Sequence, residues 1–361
     1  MKNKKILELC LSPDLGGLEL FVKDSFEYFG TKTDTYLCVA PEKKLDAYVD
    51  SKDKFLLKRD KFLPFIPALK LAKYIDANDI DIIHFHWTRD IIVSVLAKTF
   101  SSKKPKIIQS RHMGMTRFKD DFYHRWIYKN VDAIHAVTKK VEEQLHKFIP
   151  SDISPKIFMN YLGVKEPKID VEKVKSLKEK YKIENQFIVG VVGRIENIKG
   201  QHIVLDAIVK LKDLDIKLFV VGSAMNDDYL EDLKEKVRIN QMEEKVIFTG
   251  FTKDVNSYMQ LCDALVLATE NETFGLVVIE SMINKKVTLA VNKGGPLEII
   301  ENQVDGILFE RDSDKLALEL KTLYEDKDYK EKISLNGYTK VKDKFCFEKQ
   351  GDLLFERLNN L

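Results

Sequence analysis

The chain contains 361 residues, of which 44% are hydrophobic and 32% are charged, and its formal net charge is +2. This length suits two domains of ordinary size, and the composition excludes an intrinsically disordered chain. The nearly balanced charge excludes a general nucleic-acid-binding surface, so any basic patch must be local.

Short apolar runs alternate along the chain with longer stretches of helical periodicity, which is the pattern of parallel α/β proteins. In the first half we predict strands over residues 4–11, 34–40, 81–87, 106–112 and 132–138. In the second half we predict strands over 187–193, 216–222, 245–250, 263–269 and 286–292, and helices over 200–212, 226–240, 273–284 and 313–325. The sequence therefore predicts two Rossmann-like, doubly wound parallel-sheet domains that face a cleft.

Two features bear on the division into domains. The polar stretch 160–186, which contains Pro167, interrupts the strand rhythm, so we predict domains of residues 1–165 and 166–345. The final segment, 346–361, has the pattern of an amphipathic helix and is predicted to pack back on the first domain. Residues 131–138 (VDAIHAVT) resemble residues 262–269 (CDALVLAT), either because both halves are the same kind of sheet or because two buried strands have converged.

The sequence also carries information about the cellular compartment. The first residues, MKNKK, imitate a signal peptide, but the apolar run that follows is short and contains Glu8. No stretch approaches the roughly 20 apolar residues that a membrane span requires. The cysteines, at positions 10, 38, 262 and 346, lie far apart in apolar segments, as reduced core thiols do. We expect a cytoplasmic protein.

The segment GRIENIKG (193–200) follows a predicted buried strand and leads into a predicted helix. A helix N-terminus carries about half a positive charge and free N–H groups, so it favours a phosphate. Arg194 and Lys199 add two cations, and the resulting charge suits a diphosphate without a metal ion. The alternative is that Arg194 and Lys199 are two surface cations at a helix start that bind no ligand.

The segment ENETFGLVVIES (270–281) is the second candidate site. Glu272 lies in the loop after a predicted strand, and Glu280 lies inside the helix that follows. Eight residues at 1.5 Å each would separate these glutamates by about 12 Å, too far for the carboxylate pair of a glycosidase. The pair is better interpreted as contacting opposite ends of a nucleotide sugar.

These two segments together resemble the retaining glycosyltransferases of family 4, which have the GT-B fold. That family has Gly-Arg…Lys-Gly after the first strand of its second domain, and downstream two glutamates that enclose Phe-Gly-Leu. The resemblance extends to Gly16-Gly17, DIIHFHW, SRHMG, TGF (249–251) and GGPLEII (294–300), so it covers nearly the whole chain. One departure is the sequence at 160–163, Asn-Tyr-Leu-Gly, where the family often has Asn-Gly.

The resemblance implies roles for residues of the second domain, the nucleotide-sugar-binding one. Arg194 and Lys199 would hold the donor diphosphate, and Glu280 would bind the ribose hydroxyls. Glu272 would hold the transferred sugar together with the backbone of Phe274, Gly275 and Leu276. The backbone around Phe251 would face the nucleobase.

In the first domain, which accepts the incoming substrate in this family, His112 would lie under the reacting sugar. Gly16 and Gly17 would let a loop close on the phosphates. From the residues alone, His112 has the alternative of being a structural histidine whose hydrogen bonds are made within the fold. The alternative for Gly16-Gly17 is a plain tight turn. Because Gly16-Gly17 lacks the three-glycine spacing of a dinucleotide-binding fingerprint, NAD binding is disfavoured.

We predict neither a metal ligand nor a cofactor, the nucleotide sugar being a co-substrate. His84 and His86 alternate along a predicted strand and share a face, but no further residue has the spacing of a metal ligand. His86, near the strand end, is expected to line the cleft on the acceptor side. The Asp-x-Asp triplets at 79–81, 213–215 and 312–314 are interpreted as chance.

Two segments of the first domain mix cations with apolar residues. In the segment 52–73, two prolines prevent one long helix. The loop after His112 adds Arg117, Lys119 and Arg125 as acceptor-side candidates. Such surfaces suit an anionic membrane or a phosphorylated lipid-linked glycan. The alternative is that the cations are solvated faces and the apolar residues belong to the core.

The sequence therefore predicts a metal-independent, retaining hexosyltransferase that uses a nucleotide diphosphate sugar, with a UDP-sugar favoured. Its acceptor is predicted to be a glycan or lipid-linked glycan in envelope polysaccharide or lipopolysaccharide synthesis, at the inner face of the cytoplasmic membrane. Nucleic acid is not an expected partner. A nucleotide-sugar epimerase of similar fold and a non-catalytic nucleotide-sugar-binding protein are the alternatives.

Overall fold

A computed structural model of the chain describes residues 3–51, 54–60 and 62–361. Its strands are β1 (Ile6–Cys10), β2 (Thr35–Val39), β3 (Lys54–Leu56), β4 (Ile82–Phe85), β5 (Lys106–Arg111), β6 (Ala133–Ala136), β7 (Lys156–Met159), β8 (Phe187–Val192), β9 (Ile216–Val221), β10 (Val246–Gly250), β11 (Ala264–Leu267), β12 (Val287–Val291) and β13 (Ile307–Phe309). All ten strands expected from the sequence are present. The three additional strands, β3, β7 and β13, have only three or four residues, too few to show a pattern.

The helices alternate with the strands, as the periodicity predicts. They are α1 (Gly17–Gly30), α2 (Lys44–Tyr48), α3 (Phe65–Asn78), α4 (Ile91–Phe100), α5 (Phe122–Asn130), α6 (Lys139–Phe148), α7 (Val171–Lys180), α8 (Gln201–Lys210), α9 (Asp227–Ile239), α10 (Val255–Leu261), α11 (Leu276–Ile283), α12 (Pro296–Ile299), α13 (Ser313–Glu325), α14 (Lys327–Lys344) and α15 (Phe347–Asn359). No helix in the described part of the chain is both long and apolar enough to cross a membrane.

The strands form two sheets, in the orders β3-β2-β1-β4-β5-β6-β7 and β10-β9-β8-β11-β12-β13. Every pairing between these strands is parallel. In each sheet the order reverses beside the first strand, between β1 and β4 and between β8 and β11. In open parallel sheets, ligands bind beyond the carboxyl ends of the strands at such a switch point.

The chain divides into two compact units. The N-terminal unit contains the chain up to Leu162 together with Glu348–Leu361, and the C-terminal unit contains Gly163–Phe347. Helix α15 packs on α1 of the N-terminal unit, where the Tyr28 hydroxyl donates a hydrogen bond to Asp352 over 2.8 Å. The Phe29 and Phe355 rings lie 5.6 Å apart.

The two similar sequence segments hold different places in their sheets. Strand β11 adjoins β8, the first strand of its sheet, whereas β6 is separated from β1 by two strands. Their shared aspartates have one local role: Asp132 accepts a hydrogen bond from the Ile107 N–H over 2.8 Å, and Asp263 accepts one from the Ile188 N–H over 2.9 Å. Each carboxylate thus satisfies the amide that begins a neighbouring strand, which gives a local physical reason for the similarity.

The segment 52–73 is only partly helical, and Lys52, Asp53 and Lys61 lie outside the described residues. Helix α3 begins at Phe65, directly after Pro64, and includes Pro67 in its first turn. The first four N–H groups of a helix have no partner within it, so a proline there removes no hydrogen bond. Pro67 therefore does not break the helix.

Candidate functional site

The loop between β8 and α8 carries the first predicted motif, and a glycine fixes its course. Gly200 has a φ of +74°, and a Cβ atom there would lie 2.4 Å from the carbonyl oxygen of Ala268. Only glycine permits this approach without strain. The loop consequently lies against the end of β11, which brings it to the second motif.

Arg194 and Lys199 flank this loop. The buried Gln201 side chain donates a hydrogen bond to the Arg194 carbonyl over 2.8 Å, which ties the start of the loop to the first turn of α8. The Arg194 side chain is 42% exposed and lies 3.0 Å from the Glu196 carboxylate. Its guanidinium is therefore both held in place and accessible.

The structure brings Lys199 and Glu272 together. Their ammonium and carboxylate groups lie 3.3 Å apart, and both side chains are about a quarter exposed or less, at 25% and 21%. The Glu270 N–H donates to the Ile198 carbonyl over 3.0 Å, which joins the two loops through their backbones. The ends of β8 and β11 thus present one mixed cationic and acidic site.

A third loop, after β12, completes this arrangement. Gly294 has a φ of +76°, and a Cβ there would lie 2.3 Å from the Glu272 carbonyl oxygen. The Gly295 N–H donates to that same oxygen over 2.9 Å. The loop that carries Glu272 is therefore fixed from two sides before α11 begins.

The remaining predicted donor residues lie on α11, directly before it, and after β10. Gly275, with a φ of +97°, precedes the first helical residue, Leu276, and Phe274 is buried with its ring 6.1 Å from that of Phe345. Glu280 is half-buried on this helix. Phe251, directly after β10, is 60% exposed. The free N–H groups at the start of α11 can bond hydroxyl or phosphate oxygens.

Arg311 is a further cation that the sequence interpretation missed. It follows the short strand β13, and its Nε–H donates to the Ala268 carbonyl over 3.2 Å. That is the oxygen which Gly200 approaches, so the Arg311 side chain reaches the end of β11. No sign of Arg311 was present in the sequence because β13, the strand it follows, has only three residues and shows no pattern.

In the N-terminal unit, the two glycines after β1 begin helix α1. The Gly16 N–H donates to the Glu19 carboxylate over 2.9 Å, and Gly17 is the first helical residue. Glu19 thereby caps a backbone group of its own helix. The glycine pair leads from the end of β1, at the switch point of the first sheet.

His84 on β4 and His86, directly after this strand, share one carboxylate on β1. Glu8 is paired with His84 in the strand register, and its Oε1 lies 2.8 Å from His84 Nδ1. The other oxygen, Oε2, lies 2.6 Å from His86 Nε2. Burial alone would raise the pKa of Glu8, but the charges and hydrogen bonds of the two histidines lower it to about 2. Burial, followed by the charge of His84, lowers the pKa of His86 to about 4.

His112 is joined to this cluster through His86. His86 Nδ1 and His112 Nε2 lie 3.3 Å apart, and the Phe21 ring meets His112 edge-on at 5.3 Å. Burial and the nearby imidazoles lower the pKa of His112 well below its ordinary value. His86, expected on the acceptor side, is only 1% exposed, so the structure places it as a buried partner of His112.

Within residues 3–51, 54–60 and 62–361, Glu8, His84 and His86 form a group that could hold a metal, with their ligand atoms within 4.8 Å of one another. Tetrahedral zinc ligands at about 2.1 Å from the ion lie about 3.4 Å apart. The carboxylate–imidazole distances of 2.8 and 2.6 Å are shorter and correspond to direct hydrogen bonds. The arrangement therefore fits a hydrogen-bonded cluster better than a zinc site.

The three acceptor-side cations differ in their surroundings. The Arg125 guanidinium pairs with Asp120 and Asp152, so two carboxylates compensate its charge. Lys119 is half-buried, and burial lowers its pKa. Arg117 is exposed. Of the three, Arg117 and Lys119 have the charge best available for an anionic group.

Comparisons with known proteins agree with this fold. A family model described as "Glycosyltransferase Family 4" matches residues 16–164, and one described as "Glycosyl transferases group 1" matches residues 173–340. The human "Alpha-1,3/1,6-mannosyltransferase ALG2" is 27% identical over 249 residues, which are 65% of this chain and 58% of that protein. The chain thus spans less than two thirds of that relative.

A second relative is the Campylobacter jejuni "N-acetylgalactosamine-N,N'-diacetylbacillosaminyl-diphospho-undecaprenol 4-alpha-N-acetylgalactosaminyltransferase". It is 27% identical over 284 residues, 73% of this chain and 74% of that protein. Among solved structures, Anabaena Alr3699/HepE in complex with UDP and glucose superposes with a TM-score of 0.86 at 21% identity, covering 99% of this chain and 100% of that one. At this identity the structural likeness shows the fold.

Proposed function

Because this chain belongs to the family 4 glycosyltransferases, with the GT-B fold, we propose that it transfers a hexose-type sugar from a nucleotide diphosphate donor. The observation that carries the proposal is the meeting of Lys199 and Glu272 at the ends of β8 and β11. A cation for the diphosphate and a carboxylate for the sugar hydroxyls stand side by side, as a nucleotide sugar requires.

The chemistry follows from charge. When the bond between sugar and diphosphate breaks, negative charge develops on the leaving group, and fixed cations and helix N-termini stabilise it. Arg194, Lys199 and the start of α8 supply this stabilisation in our proposal. Glu280 binds the ribose, Phe251 faces the base, and Glu272 with the N-terminus of α11 holds the sugar.

We propose that these cations replace a metal ion. Two of the three acidic triplets are engaged elsewhere: Lys103 pairs with Asp79 and Asp81, at 2.5 and 3.2 Å, and Asp312 caps helix α13. Transfer should therefore persist in EDTA. Loss of transfer that Mg²⁺ or Mn²⁺ restores would contradict this part of the proposal.

Retention of the anomeric configuration is also proposed. The family resemblance supports it, and in our proposal the Glu272 and Glu280 carboxylates are engaged by the sugar and the ribose rather than placed as the base that inversion would need. NMR of the product against the donor measures the configuration directly. A coupling constant typical of the opposite anomeric configuration at the new linkage would refute retention.

The proposed acceptor is a glycan or lipid-linked glycan of the cell envelope, as the name of the Campylobacter relative suggests. A surface of the N-terminal unit supports this choice. We call it the basic–apolar surface, formed by the exposed apolar residues Phe62, Leu63, Phe65, Ile66, Leu69, Phe118 and Phe122 with the exposed cations Lys58, Lys70, Lys73 and Arg117.

Its two parts come from distant segments that approach each other. Burial raises the pKa of Tyr123 on α5, and the charge of Arg59 partly opposes this rise, so the charge of one segment acts on a side chain of the other. Phe62 is 91% exposed and Phe122 is 89% exposed, although both are large and apolar. Apolar side chains beside cations suit the interface of an anionic membrane.

The test is a donor screen with purified full-length chain. UDP-, GDP- and ADP-sugars are each incubated with and without an undecaprenyl-diphosphate-linked glycan, and released nucleotide diphosphate and product are measured. UDP-sugars are tested first because the Anabaena neighbour holds UDP and glucose. We expect acceptor-dependent release with one donor, and its loss in Lys199→Ala.

The screen also separates the alternatives. An epimerase would convert the donor without an acceptor and release no diphosphate. A non-catalytic binding protein would bind the donor without any turnover, with or without acceptor. Either result would contradict the proposed transfer.

A further inference from the structure

A continuous row of hydrogen bonds crosses the first sheet and ends at His112. It runs from the carbonyl of Asn160, beyond β7, across β6, β5 and β4 to Glu8 on β1. It then turns back through His86, directly after β4, to His112, directly after β5. The successive pairs are Asn160 O–His135 Nε2 at 2.7 Å, His135 Nδ1–Ser110 Oγ at 2.7 Å, Ser110 Oγ–His84 Nε2 at 2.8 Å, His84 Nδ1–Glu8 Oε1 at 2.8 Å, Glu8 Oε2–His86 Nε2 at 2.6 Å and His86 Nδ1–His112 Nε2 at 3.3 Å.

The direction of the first bonds follows from the Asn160 carbonyl, which can only accept. His135 must therefore donate from Nε2. Burial lowers the pKa of His135 to about 3, so its ring is neutral and its Nδ1 accepts. The Ser110 hydroxyl therefore donates its one hydrogen bond to that Nδ1. Its oxygen must then accept from His84, which places a proton on His84 Nε2.

The Glu8 carboxylate fixes the remaining bonds, because an ionised carboxylate can only accept. His84 therefore donates from Nδ1 and His86 donates from Nε2. Each ring nitrogen of His84 thus faces a hydrogen-bond acceptor, Nδ1 the Glu8 carboxylate and Nε2 the Ser110 hydroxyl oxygen. His86 is neutral with a bare Nδ1, so His112 must donate to it from Nε2.

We propose that Glu8 and His86 are positioning residues that hold His112 as a neutral ring with its proton on Nε2. The Nδ1 lone pair of His112 then becomes a hydrogen-bond acceptor for the substrate. The described residues give Nδ1 no hydrogen-bond partner, and His112 is half-buried rather than enclosed. This inference rests on the proposed function for its substrate, but the hydrogen-bond order holds without it.

The groups around His112 determine what it can receive. His86, His84 and His135 act on it from β4 and β6, Arg111 precedes it on β5, and Phe21 packs on it from α1. Arg111 donates to the Met113 and Gly114 carbonyls, which fixes the loop after His112. A bare Nδ1 can accept from a sugar hydroxyl but repels an ionised phosphate oxygen. This agrees with the place under the reacting sugar that the family resemblance implies for His112.

Two-bond ¹H–¹⁵N correlation spectra of histidine-labelled, full-length protein test the hydrogen-bond order directly. They distinguish bare from protonated ring nitrogens, and His112→Ala identifies the signals of His112. We expect a ring with bare Nδ1 and protonated Nε2 for His112, at pH 7.5 in the absence of substrate. A protonated Nδ1 on His112 would overturn the proposal.

Kinetics of two His86 variants test whether the order matters for transfer. The amide of His86→Gln offers a donor for Glu8 and an acceptor for His112, as neutral imidazole does, whereas His86→Leu fills the space without either. We expect His86→Leu to lower kcat by about tenfold or more with little change in KM, and His86→Gln to stay within about threefold. Equal losses in both variants would indicate simple packing and overturn the positioning role.

The two tests also separate this inference from the proposed function. If the wild-type chain transfers no sugar from any donor, the proposed function fails while the spectra still decide the tautomer of His112. If His86→Leu does not fold, the wild-type spectra and the His86→Gln kinetics remain decisive.

Discussion

Lys199 and Glu272 are 73 residues apart in the sequence, yet their charged groups lie 3.3 Å apart in the structure. The contact exists because parallel strands β8 and β11 are neighbours and end at the same edge of their sheet. A substrate diphosphate would compete with Glu272 for the Lys199 ammonium.

We expect Lys199→Ala to lower kcat by about 100-fold, which corresponds to about 2.7 kcal/mol of lost transition-state stabilisation. Folding should be little affected because the residue lies in a loop. Lys234→Ala, which removes a surface lysine that pairs with Glu231 on α9, is the matched control. Steady-state kinetics and thermal melts measure both effects. Equal rates for the two variants would indicate that Lys199 is an ordinary surface charge without a part in transfer.

Three glycine variants separate steric clash from backbone strain. Gly294→Ala places a Cβ 2.3 Å from the Glu272 carbonyl oxygen at a φ of +76°. At Gly250 the φ is +71°, but no atom lies within 4 Å of the added Cβ. Gly30→Ala meets neither a close atom nor a positive φ. We expect Gly250→Ala to lose about 1–2 kcal/mol of unfolding free energy from strain alone. Gly294→Ala should lose more and also lose activity, and Gly30→Ala should lose neither. Urea unfolding gives the ranking, and an unperturbed Gly294→Ala would contradict the described loop.

The buried histidines predict how stability depends on pH. The pKa of His86 is about 4 in the folded chain, against an ordinary value of 6.5, so the unfolded chain binds a proton first as the pH falls. The free energy of unfolding should therefore decrease below about pH 6.5, by at most about 1.4 kcal/mol per pH unit for this group. Glu8 adds stability above its ordinary pKa of 4.5 and loses it only as the pH falls towards about 2.

Replacing His86 by glutamine should make this slope shallower between pH 6.5 and 4. His146→Gln, on the exposed face of α6, is the control and should leave the slope unchanged. Urea titrations at a series of pH values supply the slope. A slope that is identical in wild type and His86→Gln would mean that His86 is not held neutral by its surroundings.

The basic–apolar surface predicts reversible binding to anionic lipid. Each cation near such a membrane contributes about 1 kcal/mol, so Lys70→Glu with Lys73→Glu should weaken binding strongly. Phe62→Asp should weaken it at any salt concentration, because it removes an apolar contact. Sedimentation with liposomes of increasing phosphatidylglycerol content measures the effect. Lys234→Glu and Ile239→Asp, exposed positions on α9, are the matched controls.

Binding that does not depend on anionic lipid or on salt would contradict this prediction. Efficient transfer to small neutral acceptors without membranes would also argue against a lipid-linked substrate. The control variants should sediment with liposomes as the wild-type chain does.

Much of the fold follows from local pattern. Buried parallel strands give continuous apolar runs such as FIVGVV in β8, and helices give a different period, so ten strands could be predicted without tertiary information. The loops that carry Lys199 and Glu272 could be located too, because each follows a recognisable apolar strand, and their role in donor binding stays a prediction. Strands β3, β7 and β13 could not, since three or four residues carry no periodicity.

Periodicity within short segments was enough to predict the two parallel α/β units and to locate the loops that carry Lys199 and Glu272. Only the tertiary structure showed that Glu8 joins His84 and His86, and that Arg125 pairs with two aspartates. Glu8 and His84 are 76 residues apart and meet only through the register of β1 on β4. Such register depends on the packing of the whole sheet, and no local pattern encodes it.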